Sequence, residues 1–93
     1  YRPVTTVITG KDEIPFSGWV YAEARNDEAV PLADVVETTW SLHQSYPGGV
    51  RLLADCLAPG ETVAFSEFLW GVQGLSVDTI KVAAQGVLTP CTP

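Results

Sequence analysis

The chain has no methionine, one histidine, two cysteines and only five basic residues among its 93. Each shortage removes a class of function. Five Lys and Arg stand against eleven Asp and Glu, which leaves a net charge of −6 and a pI near 4.4. Nucleic acid and anionic lipid are held by clustered cations that displace counterions, so no nucleic-acid partner is expected. No apolar run approaches the roughly 20 residues a spanning helix needs, so no membrane span is expected either. The missing methionine extends to position 1 and no signal peptide is present, as expected of a processed or trimmed chain.

The single histidine, His43, also limits catalysis. A nucleophile, its base and an orienting acid must lie within mutual hydrogen-bond reach. Ser41 would share a strand face with His43, but no glycine-rich nucleophile elbow surrounds it. The acidic pairs Asp12-Glu13 and Asp27-Glu28 sit in turn-like segments. They could gather oxygens for calcium, yet neither has the spacing of a calcium loop. Glu61 and Glu67 could act as an acid–base pair only if something desolvated one of them, and no neighbouring residues do so in the sequence. The expectation is a protein that is not an enzyme, with no catalytic residues, no metal and no cofactor.

What the chain does have is alternation. Apolar or small residues recur at every second position: Phe16, Gly18, Val20, Ala22, Ala24; then Val36, Thr38, Trp40, Leu42; then Val50, Leu52, Ala54, Cys56; then Val63, Phe65. A period of two belongs to half-buried strands, in which successive side chains point to opposite faces. These positions are expected to face a core, leaving Trp19, Tyr21, Glu23 and Arg25 outside. The β-branched run 4–9 predicts a first strand ending in a turn at 10–13, and 80–88 a last one. Pro47-Gly48-Gly49 and Pro59-Gly60 mark tight turns. Turn signals about every ten residues predict an all-β, Ig-like antiparallel β-sandwich of about seven strands. One domain covers 1–93, with an N-terminal strand in 1–10 and a Pro/Thr tail at 89–93.

With 46% hydrophobic and 17% charged residues the chain can collapse, but a domain this small buries only about two-thirds of its unfolded surface and gains from a staple. Cys56 and Cys91 lack the spacing of zinc or redox sites. They are read as a disulfide, because a cysteine in the tail Thr89-Pro90-Cys91-Thr92-Pro93 has little packing reason to exist; the alternative is two buried thiols. An acidic, thiol-poor, stapled β-domain suits a secreted or cell-surface setting.

From Phe16 onward the pattern resembles the FxLYD family, small Ig-like domains of prokaryotic surface proteins and lipoproteins. Gly18-Trp19-Val20 runs to Asn26, and Val30-Pro31-Leu32-Ala33-Asp34-Val35 enters the next strand. Trp40-Ser41-Leu42-His43-Gln44 stands where F-x-L-Y-D would, and Leu57-Ala58-Pro59-Gly60-Glu61-Thr62-Val63-Ala64-Phe65 follows. Trp40, His43 and Gln44 depart from the naming motif. The resemblance covers about half the chain and implies a fold and a surface location, with no catalytic residues to transfer.

Two surfaces are candidates for binding. Trp19 and Tyr21 share a strand face, and Trp70 could join them. Such rings serve as a protein interface, pack beneath a loop, or stack a glycan as in a carbohydrate-binding module. The N-terminal strand, through Val4, Val7 and Ile8, could pair within its own domain or cross into a neighbour. A head-to-tail exchange of that kind would build a pilus-like filament from copies of the chain. Its receiving groove is expected at Val20, Trp40, Leu52 and Phe65. The sequence thus points to a structural or protein-interaction module whose partner is a protein, itself included, with a glycan as the alternative.

Overall fold

The computed structural model describes residues 1–14, 17–41, 50–70 and 80–92, and among these no helix occurs. Six strands form: β1 (Arg2–Ile14), β2 (Ser17–Arg25), β3 (Leu32–Ser41), β4 (Val50–Leu57), β5 (Thr62–Trp70) and β6 (Ile80–Val87). Their order is β4-β3-β6-β1-β2-β5, with antiparallel pairing throughout. The sheet is nearly closed, because its edge strands β4 and β5 approach each other. The all-β expectation holds at this level: six antiparallel strands in one curled order. His43, Leu42, Pro15 and Phe16 lie outside the described residues, as do the side chains of Trp40 and Trp70.

β2 follows the predicted alternation. Val20, Ala22 and Ala24 are buried, while Trp19, Tyr21, Glu23 and Arg25 point out. β5 agrees, with Phe65 and Leu69 buried on its odd face. The turn after Ala58 also forms as read: Glu61 N donates to Ala58 O (3.0 Å), and Gly60 takes the positive φ of 76° that a side chain would resist.

β1 departs from its expected length. Instead of turning at 10–13, the strand continues to Ile14, because Gly10, Lys11, Asp12 and Glu13 find partners in Tyr21, Val20, Trp19 and Gly18. The register slips between Ile8 and Gly10, so Thr9 is a bulged extra residue. Such bulges bend and twist a long strand without ending its ladder. Arg2–Val4 pair with β6 and Thr5–Ile14 with β2, so β1 joins the two halves of the sheet.

The larger correction concerns β3 and β4, where the inward and outward faces are the reverse of the expectation over much of their length. Val35, Glu37 and Thr39 are buried, whereas Val36 and Thr38 are only partly so. Val50 and Leu52 are 71% and 53% exposed. Two irregularities cause this. Asp34 has a φ of 49°, and the β3–β6 register shifts by one residue between Ala33 and Val36. On the other side, Val35 pairs Ala54 but Val36 pairs Leu52, leaving Leu53 as the extra residue of β4. Because the side-chain period is two, each one-residue slip exchanges the faces.

The core has two parts. Val4, Ala22, Ala24, Leu32, Val35, Leu57, Phe65 and Ala84 form one cluster; Val20, Leu69 and Ile80 form the other. Val82 packs against both. Leu32 and Leu57 face each other across the β3–β4 ladder, and burying each contributes about 2 kcal/mol. Gly86 sits where a Cβ would meet Leu32 Cβ at 3.0 Å and Val35 Cγ2 at 3.1 Å, so β6 can approach β3 only because this position has no side chain. The Cys56–Cys91 disulfide forms and ties the tail after β6 to β4.

Candidate functional site

The outer face of β2 and β5 gathers aromatic rings. Trp19 and Phe68 are direct cross-strand partners, their ring centroids 5.3 Å apart at an interplanar angle of 60°, an edge-to-face contact. Tyr21 follows on the same face, and its hydroxyl donates to Asp12 Oδ2 at 2.6 Å. That hydrogen bond to a carboxylate is the main reason the Tyr21 hydroxyl titrates above its ordinary range. All three rings remain about two-fifths exposed: Trp19 42%, Tyr21 37%, Phe68 37%. Below them the face continues into a shallow depression of about 280 Å³ lined by Thr9, Tyr21, Glu23, Ala64 and Ser66, among others. Phe68 is not among the candidates that the sequence singles out, although the parity that puts Phe65 inside also puts position 68 outside.

The N-terminal residues divide by face. Val4 is buried, Ile8 half-buried and Val7 exposed opposite Glu23. Their strand has a neighbour on each side within its own chain. Of the expected groove positions, Val20 and Phe65 are buried, while Leu52 points outward because of the β4 bulge.

The acidic pairs do not meet. Asp12 lies opposite Trp19 near the first hairpin, whereas Asp27 follows the other end of β2. There Asp27 receives hydrogen bonds from Arg25 Nε (2.6 Å) and the Thr5 hydroxyl, and these hold its carboxyl below the usual range. Glu61 accepts from Ala58 N at 3.0 Å, within its own turn. Among the described residues no group of three or more His, Cys, Asp or Glu side chains comes together.

Glu67 instead turns inward and joins a carboxylate that the sequence reading did not single out. Glu37, on β3, has no exposed surface. Its Oε2 accepts from the Thr39 hydroxyl at 2.8 Å. Its Oε1 is buried without a hydrogen bond; Arg51 Nε stands 3.7 Å away. Burial, and after it the hydrogen bond to Glu67, push the Glu37 carboxyl up to about 7. A further apolar depression of about 420 Å³ lies along the disulfide-tied tail, between Val30 and Pro31 on one side and Leu88 to Cys91 on the other. Compared with family models, curated proteins and solved structures, the chain matches none.

Proposed function

We propose that this chain is a non-catalytic, extracellular protein-interaction module that binds through the outer face of β2 and β5. The observation that carries the reading is the trio Trp19, Tyr21 and Phe68, three large rings exposed on one rigid sheet face. Rings of this kind anchor protein interfaces, because they offer much contact area at little entropic cost. The 60° angle between Trp19 and Phe68 favours a protein over a glycan, since sugar rings stack best on a flat platform. The Cys56–Cys91 disulfide supports an oxidising, secreted or cell-surface setting. The split of β1 between β6 and β2 supports reading the curled sheet as an Ig-like sandwich, of the kind the FxLYD resemblance implies.

The partner proposed first is a second copy of the chain, with assembly into a filament as the extended form. Strand exchange through Val4, Val7 and Ile8 is a second route to the same assembly; it needs the interior strand β1 to leave two neighbours and rebuild its ladder on another copy. Light scattering and electron microscopy of the chain and of a Trp19→Ser/Phe68→Ser variant test the reading. Oligomers or fibres that disappear in the variant are expected. Assembly that persists unchanged in the variant shifts the contact to β1. A wild-type monomer of 10.0 kDa at high concentration ends the self-association reading. Tryptophan fluorescence that responds to a glycan replaces the protein partner with a sugar.

A further inference from the structure

The two edges of the curled sheet are joined by charges that point inward. Arg51 of β4 is paired in register with Glu37 of β3, and its guanidinium reaches across the open seam to β5. There it donates to Ser66 O at 2.9 Å and lies 3.3 Å from Glu67 Oε1. Inward-pointing charges are one way a sheet prevents its edges from pairing with foreign strands. Here they also hold the two edges of the same sheet together.

We propose that Glu37, Glu67 and Arg51 form a proton-operated clasp across the β4–β5 seam, closed when Glu37 is protonated and loosened when it ionises. The hydrogen-bond geometry argues for the proton. Glu37 Oε2 is satisfied by Thr39, but Oε1 is buried, and the 3.7 Å to Arg51 Nε is too long for a hydrogen bond. Ionised, the Glu37 carboxylate leaves the buried Oε1 without a donor; protonated, the carboxyl can donate a hydrogen bond to the neighbouring Glu67. With Glu37 neutral, Glu67 and Arg51 form a balanced pair. With Glu37 ionised, two carboxylates share one half-exposed guanidinium, and the Glu37 charge, cut off from water, is repelled by that of Glu67.

Among the described residues, the other charged group on this inner face is Lys11 of β1. Lys11 and Glu67 both pair with Val20, so β2 separates them by about 10 Å, two strand spacings. Among the described residues, β2 and β6 turn only apolar side chains and glycine inward. The raised titration of Glu37, to about 7, agrees with the arrangement. Because the native state then binds a proton that the unfolded chain has released, stability falls as pH rises from about 4.5 through 7 and levels off above.

The test compares urea unfolding of the wild type and Glu37→Gln from pH 4 to 9. The ratio of the wild-type to the variant unfolding constant isolates Glu37 together with its coupling to Glu67, because the remaining titrating groups cancel. That ratio is expected to rise up to tenfold per pH unit between about pH 5 and 7, then flatten. Parallel profiles overturn the proposal. If Glu37→Gln does not fold, the carboxyl carbon of Glu37 in the wild type is titrated by NMR, and a midpoint in the ordinary glutamate range overturns it equally. Amide exchange, corrected for its intrinsic pH dependence, reads the seam itself. Protection in β4 and β5 is expected to fall severalfold between pH 5 and 8 relative to β1, and unchanged relative protection refutes the clasp.

Discussion

Asn26 is the residue on which one end of the molecule depends. It has no exposed surface, and its side chain uses its hydrogen-bonding capacity internally. Nδ2 donates to Val30 O and Leu57 O, both at 2.9 Å, and Oδ1 accepts from Glu28 N at 2.8 Å. Its backbone adds bonds to Glu61 O and from Gly60 N. One side chain thus ties the β2–β3 turn to the β4–β5 turn, two turns that the sequence presents as separate. Removing it leaves the buried Leu57 O and the part-buried Val30 O and Glu28 N without partners, each costing about 1–3 kcal/mol if water cannot enter. Asn26→Ala is expected to lose about 3 kcal/mol in urea unfolding with an unchanged slope. A loss below about 1 kcal/mol would mean that water replaces the amide.

The decisive element is β3. A chain in the left-handed region at Asp34 inserts one residue relative to β6, and Leu53 inserts one in β4. Asp tolerates this conformation better than most residues, and glycine adopts it without the Cβ penalty of roughly 1–2 kcal/mol. Asp34→Gly is therefore expected to raise stability by up to about 1 kcal/mol, less the added entropy of the unfolded chain. Asp34→Val should lower it by about 2 kcal/mol. If valine is tolerated as well as glycine in thermal unfolding, the bulge is not what sets the faces of β3. The same element explains why Val36, Thr38, Val50 and Leu52 lie on the side opposite to the one their alternation suggests. Their alternation was legible in the sequence, but its phase was not, because a bulge leaves no mark in a pattern of apolar residues.

At the scale of the whole molecule, two cross-links hold the chain by different means: one spans the seam of the sheet and the other ties the tail after β6 to β4. The clasp of Arg51 with Glu37 and Glu67 joins the edges through charge. The Cys56–Cys91 bridge joins residues 35 apart in the chain, and it lowers the entropy of the unfolded state by an amount worth about 4 kcal/mol. Cys56→Ser/Cys91→Ser is expected to lose most of that in urea unfolding, while adding reductant to the wild type should reproduce the loss. A double variant as stable as the wild type would show that the tail packs without its covalent tie. Much of the aromatic site was readable at this scale, since Trp19 and Tyr21 follow from the parity of β2. Its partner Phe68 required knowing that β5 lies beside β2 with Trp19 and Phe68 in register.

The sequence by itself determined the strand class, the faces of β2 and β5 and the Pro-Gly turn, and it left each cysteine a single possible partner. These depend on local chemistry: a period of two, a glycine free to take positive φ, and thiols with a single possible partner. Only the tertiary structure decided the length of β1, the faces of β3 and β4, the burial of Asn26, and the meeting of Glu37 with Glu67. Each of those depends on which strand lies alongside and in what register, and register is set by the sum of contacts across the sheet rather than by any one segment.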